Sequence, residues 1–521
     1  MNRYLTDLTS GFLVFLIALP LCLGIAMASG FPPIAGVLTA IIGGLVTSHI
    51  GGAELTIKGP AAGLIVIALG AVTELGMGDA HLGYRRALAV GVVAALIQIF
   101  FAVIKAGRFA SIMPPSVVHG MLAAIGVIII AKQFPVMLGI IGAHGEPLEM
   151  LMEIPHYLHE ANPYVAAIGA LSVVILFVLP MIPIPAVQKA PAPLLVLFAA
   201  LPLAYVWGFG TEHTYSFGEE SFVLGPKYLV QLSGSLLDAI TFPDFSMIAS
   251  PISIKYIVMF ALVGMVESLL SVIAVDAMDP EKHTSDLNRD LLVTGFANLI
   301  CGMVGGLPMI SEIVRSKANI DAGAKSSWSN FFHGMFLLIF VVAFPGLLQM
   351  IPLAALAAML VVTGYRLAHP KEFLHVLHIG KDQFFLFFVT FAVTLATDLL
   401  IGVGVGLVLK LILHAVRSGN PVGLFQSSVS ASRDGSKVLV TVNGPLAFTN
   451  FLSLKKKLTE LVTDEITLVE IDVSKATILD HTVQERLEGL ANEWTSAELS
   501  LVGLEKLRAV AHDDHAFRMA R

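Results

Sequence analysis

A carboxylate in the middle of an apolar run is the first feature of this chain that could do chemistry. In YIVMFALVGMVESLLSVIAVD, residues 256–276, Glu267 stands with Ser268 and Ser271 beside it. Ionising an acid at the centre of a membrane helix costs at least a few kcal/mol, so such a residue either carries a proton or holds a cation, or is hydrogen-bonded as a structural group. Ser271 follows four residues later on the same helical face and offers a second oxygen to the same ion. A second charged stretch, GGLPMISEIVRSKANIDAGAKSS at 305–327, sets Glu312, Arg315, Lys317, Asp321 and Lys325 behind a Gly-Gly-Leu-Pro start. Glu312 and Arg315 are three residues apart and hence neighbours on a helix face. They read either as a structural pair capping the helix or as a pair that tunes an anion site.

These charges are rare in their surroundings. Of 521 residues 56% are hydrophobic and 13% charged, with a mean hydropathy of +0.84, which makes the chain a polytopic membrane protein. The net charge of −7 argues against a nucleic-acid partner. It says little about substrate sign, because a buried site answers to its local field. No nucleotide-binding Gly-rich Lys-Ser/Thr loop occurs, so nothing suggests direct driving by ATP. Cys22 and Cys301 lie in apolar segments and read as buried thiols. His156 with His159, and His512 with His515, have metal-like spacing but no further ligands nearby, and no metal or other cofactor is expected. GVGVGLVLK at 402–410 reads as close helix packing.

The elements that must position the charges are short apolar helices. Segments near 9–28, 33–50, 60–75, 86–104, 115–134, 164–182, 191–209, 253–275, 290–304, 312–320, 328–345, 351–364, 382–397 and 399–414 give about fourteen elements, several too short for a full crossing. ELTIKGPAAGLIVIALG (54–70) and GGLPMISEIVRSKANI (305–320) each put Pro after Gly-containing extended sequence and before a short helical pattern, one in each half. Gly and Pro can merely kink spanning helices, but matched interruptions point to an inverted-repeat secondary transporter. A helix that starts at the midplane exposes unpaired N–H groups and about half a positive charge, so two such starts facing each other make an anion site. The residues supplying it are Ala61, Ala62 and Gly63 in the first, and Ile313, Val314 and Arg315 in the second. Glu267, Ser271 and Glu312 are the coupling or cation candidates.

Basic residues in the short loops, among them Lys105, Arg108, Lys189, Lys282, Arg289, Lys371, Lys381 and Arg417, are placed mostly on one side if both termini are cytoplasmic; the loops 138–162 and 211–250 are nearly free of them. The first apolar run continues into a second and reads as a retained helix, not a cleaved signal. Residues 1–420 are therefore expected to form the membrane domain. After about residue 420 the pattern changes to alternating strand and amphipathic helix, as in KVLVTVNGPLAFTNFLSLKKKLTELV, and residues 421–521 are expected to form a small cytoplasmic α/β domain.

Several motifs in order resemble the SulP family of anion transporters, over essentially the whole chain. DLTSGFLVFLIALPLCLGIA is similar to its first-helix motif, GPAAG to its third-helix start, ESLLS to its eighth helix and GLPMISEIVRSKANIDAGAKS to its tenth-helix signature; the tail, with DVSKATILDHTV, resembles a STAS domain. The resemblance implies an α-helical polytopic fold of 14 transmembrane elements in two inverted repeats of seven, divided into core and gate domains that move elevator fashion, and a homodimer in the cell inner membrane. It places the anion between the third- and tenth-helix starts with Leu21 nearby, gives Glu267 the position of the acid in cation-coupled bacterial members, and makes Thr482 a regulatory phosphate-acceptor candidate, against a structural threonine on the tail's surface. Where many members have Pro-x-Thr-Gly, this chain has Pro308-Met309-Ile310-Ser311 and then Glu312. Leu64 and Ile65 add no hydroxyl, leaving few side-chain donors for a dianion. The expectation is a symporter of bicarbonate, with sulfate second, coupled to Na+ or H+; a passive anion channel and an anion sensor are the alternatives.

Overall fold

Paired β-strands inside the apolar region set the architecture. In a computed structural model, described for all residues except 1–2, 108–112, 144, 184–190, 233–237, 282, 427, 463–465, 494–497 and 521, strand β1 (Ile57–Pro60) lies antiparallel to β4 (Met309–Glu312). Arg108, Lys189 and Lys282, which the orientation reading uses, fall outside the described residues. Helices α1 (Arg3–Ala28) and α2 (Pro33–Ile50) precede β1. A single 3-10 turn (Ala62–Leu64) and α3 (Ile65–Gly76) follow it, then α4 (Ala80–Val103), α5 (Pro115–Met137), α6 (Pro163–Val178) and α7 (Ala192–Val206). The second half repeats the plan: α8 (Pro251–Met278), α9 (Leu287–Val304), β4, α10 (Ile313–Asp321), α11 (Trp328–Ala343), α12 (Leu353–Leu367), α13 (Lys381–Ala396) and α14 (Leu399–Ser418). Among the described residues eight helices are long and apolar enough to cross a membrane, and 62–76, 192–206 and 328–343 are shorter apolar ones.

Two compact units emerge. In the first, residues 1–107 and 125–367, α1 and α2 pack on α11, while α4 packs on α3, α8 and α9. Without a hydrophobic drive between helices in lipid, close packing carries the assembly. A Cβ at Gly44 would come within 2.6 Å of the Gly334 Cα, so these glycines bring α2 and α11 together. The loop expectation fails in two places. Residues 147–152 and 154–159 are short helices, the first begun by a reciprocal Glu146–Glu149 capping box. Residues His213–Phe217 (β2) and Glu220–Leu224 (β3) form a hairpin around Gly218, at φ +64. Tyr215 of β2 stacks on Tyr164 and donates to Asn162 Oδ1 at 2.7 Å, and so fastens the hairpin to the start of α6.

The second unit, 108–124 with 368–521, holds the first turns of α5, the amphipathic helix Pro370–Ile379, α13, α14 and the tail. In the tail, β5 (Ser428–Asp434), β6 (Lys437–Leu446), β7 (Leu468–Leu479), β8 (Glu498–Val502), β9 (Leu507–Ala509) and β10 (Arg518–Ala520) form one mixed sheet. β6, β7 and β8 run parallel. Parallel neighbours need crossovers, which α15 (Phe451–Leu461) and α16 (His481–Glu493) provide. Val440, Ile471, Leu454 and Leu487 fill the core between sheet and helices. This small α/β region fits a STAS domain.

Candidate functional site

Backbone polar groups cannot be left unpaired in lipid, and the interrupted helices solve this by pairing with each other. Ile57 stands opposite Glu312, Lys58 opposite Ser311, Gly59 opposite Ile310 and Pro60 opposite Met309. Both half-helices begin as their strands end, so the two starts that sequence placed in separate halves are neighbours in space.

The start of α3 is faced by two acids. The Glu267 carboxylate lies against the Gly63 N–H and that of Glu312 against the Ala62 N–H. A Cβ on Gly63 would fall on the Glu267 carboxylate, so glycine is what lets the acid approach. Both residues are half-buried, yet Glu267 Oε2 and Glu312 Oε1 are sealed from solvent and have no hydrogen-bond partner. Ser271 donates at 2.8 Å to the Glu267 main-chain oxygen, not to its carboxylate. At the α10 start Ile313 and Val314 are exposed, at 43% and 52%.

Arg315 is buried beside the strand. It is 1% exposed, its Nη1 donates to Cys22 Sγ at 3.5 Å, and Nε and Nη2 have no partner. A Cβ on Gly59 would fall on Nη1, so the bare strand backbone makes room for the guanidinium. Among the described residues no ion pair joins Arg315 to Glu312. The reason is local: Glu312 is the extended residue before the helix, at φ −102 and ψ 114, so its side chain does not stack over the Arg315 face as two helical residues would.

The sequence reading missed a buried network beside these acids. Lys58, 2% exposed, donates to both carboxylate oxygens of Asp290 at 2.7 Å and to Ser311 Oγ at 2.5 Å. The Ser311 N–H donates to Ser268 Oγ at 3.1 Å. Asn298 brackets Met309, its Oδ1 accepting the Met309 N–H at 2.6 Å and its Nδ2 donating to the Met309 carbonyl at 3.1 Å. The only sequence signal was a lysine just before Gly59-Pro60 in an apolar setting.

Thr482 is not the surface threonine that one reading of the sequence allowed. It is 1% exposed, and its Oγ1 accepts from Lys410 of α14 at 2.7 Å. Lys410 also pairs with Asp480 at 3.2 Å and lies 5.0 Å over the Phe448 ring. Burial pushes the Asp480 carboxyl up, but Lys410 and, after it, His414 and His481 outweigh burial and hold it below the usual carboxylate range. A depressed carboxylate contributes stability above its unfolded pKa and loses it only as pH falls through the folded value.

Chemically, the paired starts offer N–H donors to a negative group, and two carboxylates compete for them. An ionised carboxylate about 4 Å from a monovalent anion opposes it by about 4 kcal/mol at an effective dielectric of 20. A helix start contributes at most about 2 kcal/mol in its favour. Of these two contributions the repulsion is the larger.

Known proteins share this plan. A family model described as the sulfate permease family matches residues 4–390. The chain is 27% identical over 516 residues to the "Putative sulfate transporter YvdB" of Bacillus subtilis (strain 168), covering 97% of this chain and 92% of that one. It is 24% identical over 437 residues to the bicarbonate transporter BicA of Picosynechococcus sp. (strain ATCC 27264 / PCC 7002 / PR-6), covering 84% and 74%. The solved transmembrane domain of a cyanobacterial BicA superposes with a TM-score of 0.63 at 22% identity, over 78% of this chain and 98% of that one; murine Slc26a9 in an inward-facing state gives 0.67 at 15%, over 96% and 86%. With its matched span and its fold in agreement, this chain belongs to the sulfate permease family, whose members it resembles as a multi-pass membrane transporter of inorganic anions.

Proposed function

We propose that this protein is a secondary active symporter of a small inorganic oxyanion, bicarbonate first, driven by Na+ or H+ through Glu267 and Glu312. The observation that carries this reading is the meeting of both carboxylates with the Ala62 and Gly63 N–H groups at one helix start. An anion and a neutralising cation then belong to the same event, because the anion can take those N–H groups only when the acids no longer repel it. Anion donors are the N–H groups of Ala61 to Gly63 and of Ile313 to Arg315, with the Arg315 charge adding to the local field. Ser271 serves the cation site only after turning from its main-chain bond.

Bicarbonate is favoured over a dianion by the scarcity of side-chain donors: Leu64, Ile65, Ile313 and Val314 line the starts, and the one guanidinium points at Cys22. Sulfate is the second reading, supported by the name of the Bacillus subtilis relative. The expected setting is a homodimer in the inner membrane with both termini cytoplasmic, the site carried by a core moving against a gate, and Thr482 acting as a docking residue for the tail.

Labelled bicarbonate and sulfate presented to proteoliposomes, under an inward Na+ gradient, an inward proton gradient or neither, test this. Accumulation of bicarbonate above equilibrium under one gradient is expected. Fast equilibration that ignores both gradients is the behaviour of a channel and excludes a symporter.

A further inference from the structure

The amphipathic helix Pro370–Ile379 has no part in the proposed site, and one side of it is bare. His369 accepts the Lys371 N–H at 3.0 Å and Pro370 opens the first turn, so the helix starts afresh there. Its 10 residues make about 15 Å of helix, half of what a crossing needs. The inner side is held by protein: Val376 and Ile379 are buried, Phe373 meets the Phe387 ring of α13 edge-on at 4.8 Å, and Glu372 lies 3.3 Å from His119 of α5. The outer side divides in two. Leu377 and then Leu374, 44% and 64% exposed, continue the apolar arc round from Phe373. Beside them Lys371, His375 and His378 form one exposed stripe at helical spacing, with exposed Lys381 just past the helix.

The neighbours of this helix fix its level. Arg417 in the last turn of α14 pairs at 2.8 Å with Asp382 in the first turn of α13, so α14 ends where α13 begins, and the helix lies directly before that point in the chain. Along their lengths α13 and α14 expose Phe385, Phe388, Val408 and Ile412, as helices facing lipid do. A short helix with an apolar flank and a cationic flank, placed at the end of apolar helices, suits the headgroup zone of a bilayer. Both acids of the stretch are engaged, Glu372 with His119 and Asp382 with Arg417, whereas among the described residues neither Lys371 nor Lys381 pairs with a carboxylate. We propose that Pro370–Ile379 is an interfacial anchor that selects anionic lipid: Leu374 and Leu377 enter the acyl boundary, and Lys371 and Lys381 meet the phosphate headgroups. A soluble anion would leave the two leucines in water, and a second copy of the same face would set lysines against lysines. A lysine at an anionic lipid surface is worth about a fivefold preference for it.

Local quenching in the full-length protein tests this. Leu377→Cys is labelled with bimane, and the parent treated alike gives the background, since Cys22 and Cys301 are buried. The protein is reconstituted in phosphatidylcholine vesicles holding a small fixed fraction of chain-nitroxide lipid, as phosphatidylcholine or as phosphatidylglycerol. Nitroxide lipid is expected to quench the label and aqueous iodide to leave it bright, with the phosphatidylglycerol form acting as though enriched about fivefold or more at that position. Adding Lys371→Gln and Lys381→Gln should bring the enrichment below about twofold, while quenching by the phosphatidylcholine form persists. A label quenched by iodide lies in water, and one quenched by neither agent lies under protein, such as a second copy; either result overturns the anchor. Equal quenching by the two lipids in the lysine-bearing protein, or an enrichment that survives loss of both lysines, overturns the anionic selection. Should Leu377→Cys not insert, Leu374→Cys carries the same expectations.

Discussion

Replacing Glu267 by Gln is expected to abolish gradient-driven accumulation of the anion while leaving downhill anion exchange in place. Glutamine keeps the length and can still accept from the Gly63 N–H, but it carries no proton and holds a cation only weakly. Removing one of the two repulsions of about 4 kcal/mol also loosens the tie between anion binding and the cation, so the variant should bind bicarbonate with a weaker dependence on Na+ or acid, Glu312 supplying what remains. The effect is all-or-none on uphill transport. Undiminished accumulation in Glu267→Gln, measured as the steady-state ratio of labelled anion inside to outside, would place coupling elsewhere.

Gly63→Ala should reproduce much of that loss by a steric route. The new methyl falls on the Glu267 carboxylate, the far end of a flexible side chain, and not on backbone. The acid swings away and the fold survives, at a cost in the range of about 1–3 kcal/mol for added bulk in a packed place. Thermal stability should therefore drop modestly while coupled uptake falls by about tenfold or more. Gly404→Ala is the control, since nothing lies within 4 Å of its added Cβ in α14, and it should transport as the parent does. If Gly63→Ala and Gly404→Ala behave alike, the close approach of Glu267 to the α3 start has no functional weight.

Local chemistry made much of this legible in the sequence. Segment length and Gly-Pro placement located both half-helices, and β1 and β4 show how they can begin inside the apolar region: each strand satisfies the other's backbone. Glu267 stood out because an acid in an apolar run has few explanations. What sequence did not reveal were tertiary facts. Lys58 and Asp290 are 232 positions apart, and nothing local in the sequence pairs them. What the sequence did not show for Arg315 is that the bare backbone at Gly59 makes room for its guanidinium beside Cys22. Thr482 was weighed as a phosphate acceptor or a surface threonine; the Lys410 that donates to it belongs to an apolar helix 72 positions earlier.

The most direct test is thermodynamic linkage between anion and cation in the purified parent protein. Titration of bicarbonate by calorimetry at stepped Na+ concentrations, and separately at stepped pH with the bicarbonate concentration held fixed, measures the coupling free of any transport step. If both ions meet at the α3 start, one of the two cations tightens bicarbonate binding by about tenfold or more, and bicarbonate tightens that cation's binding by the same factor, as reciprocity requires. A bicarbonate affinity indifferent to both Na+ and pH would contradict cation coupling through Glu267 and Glu312.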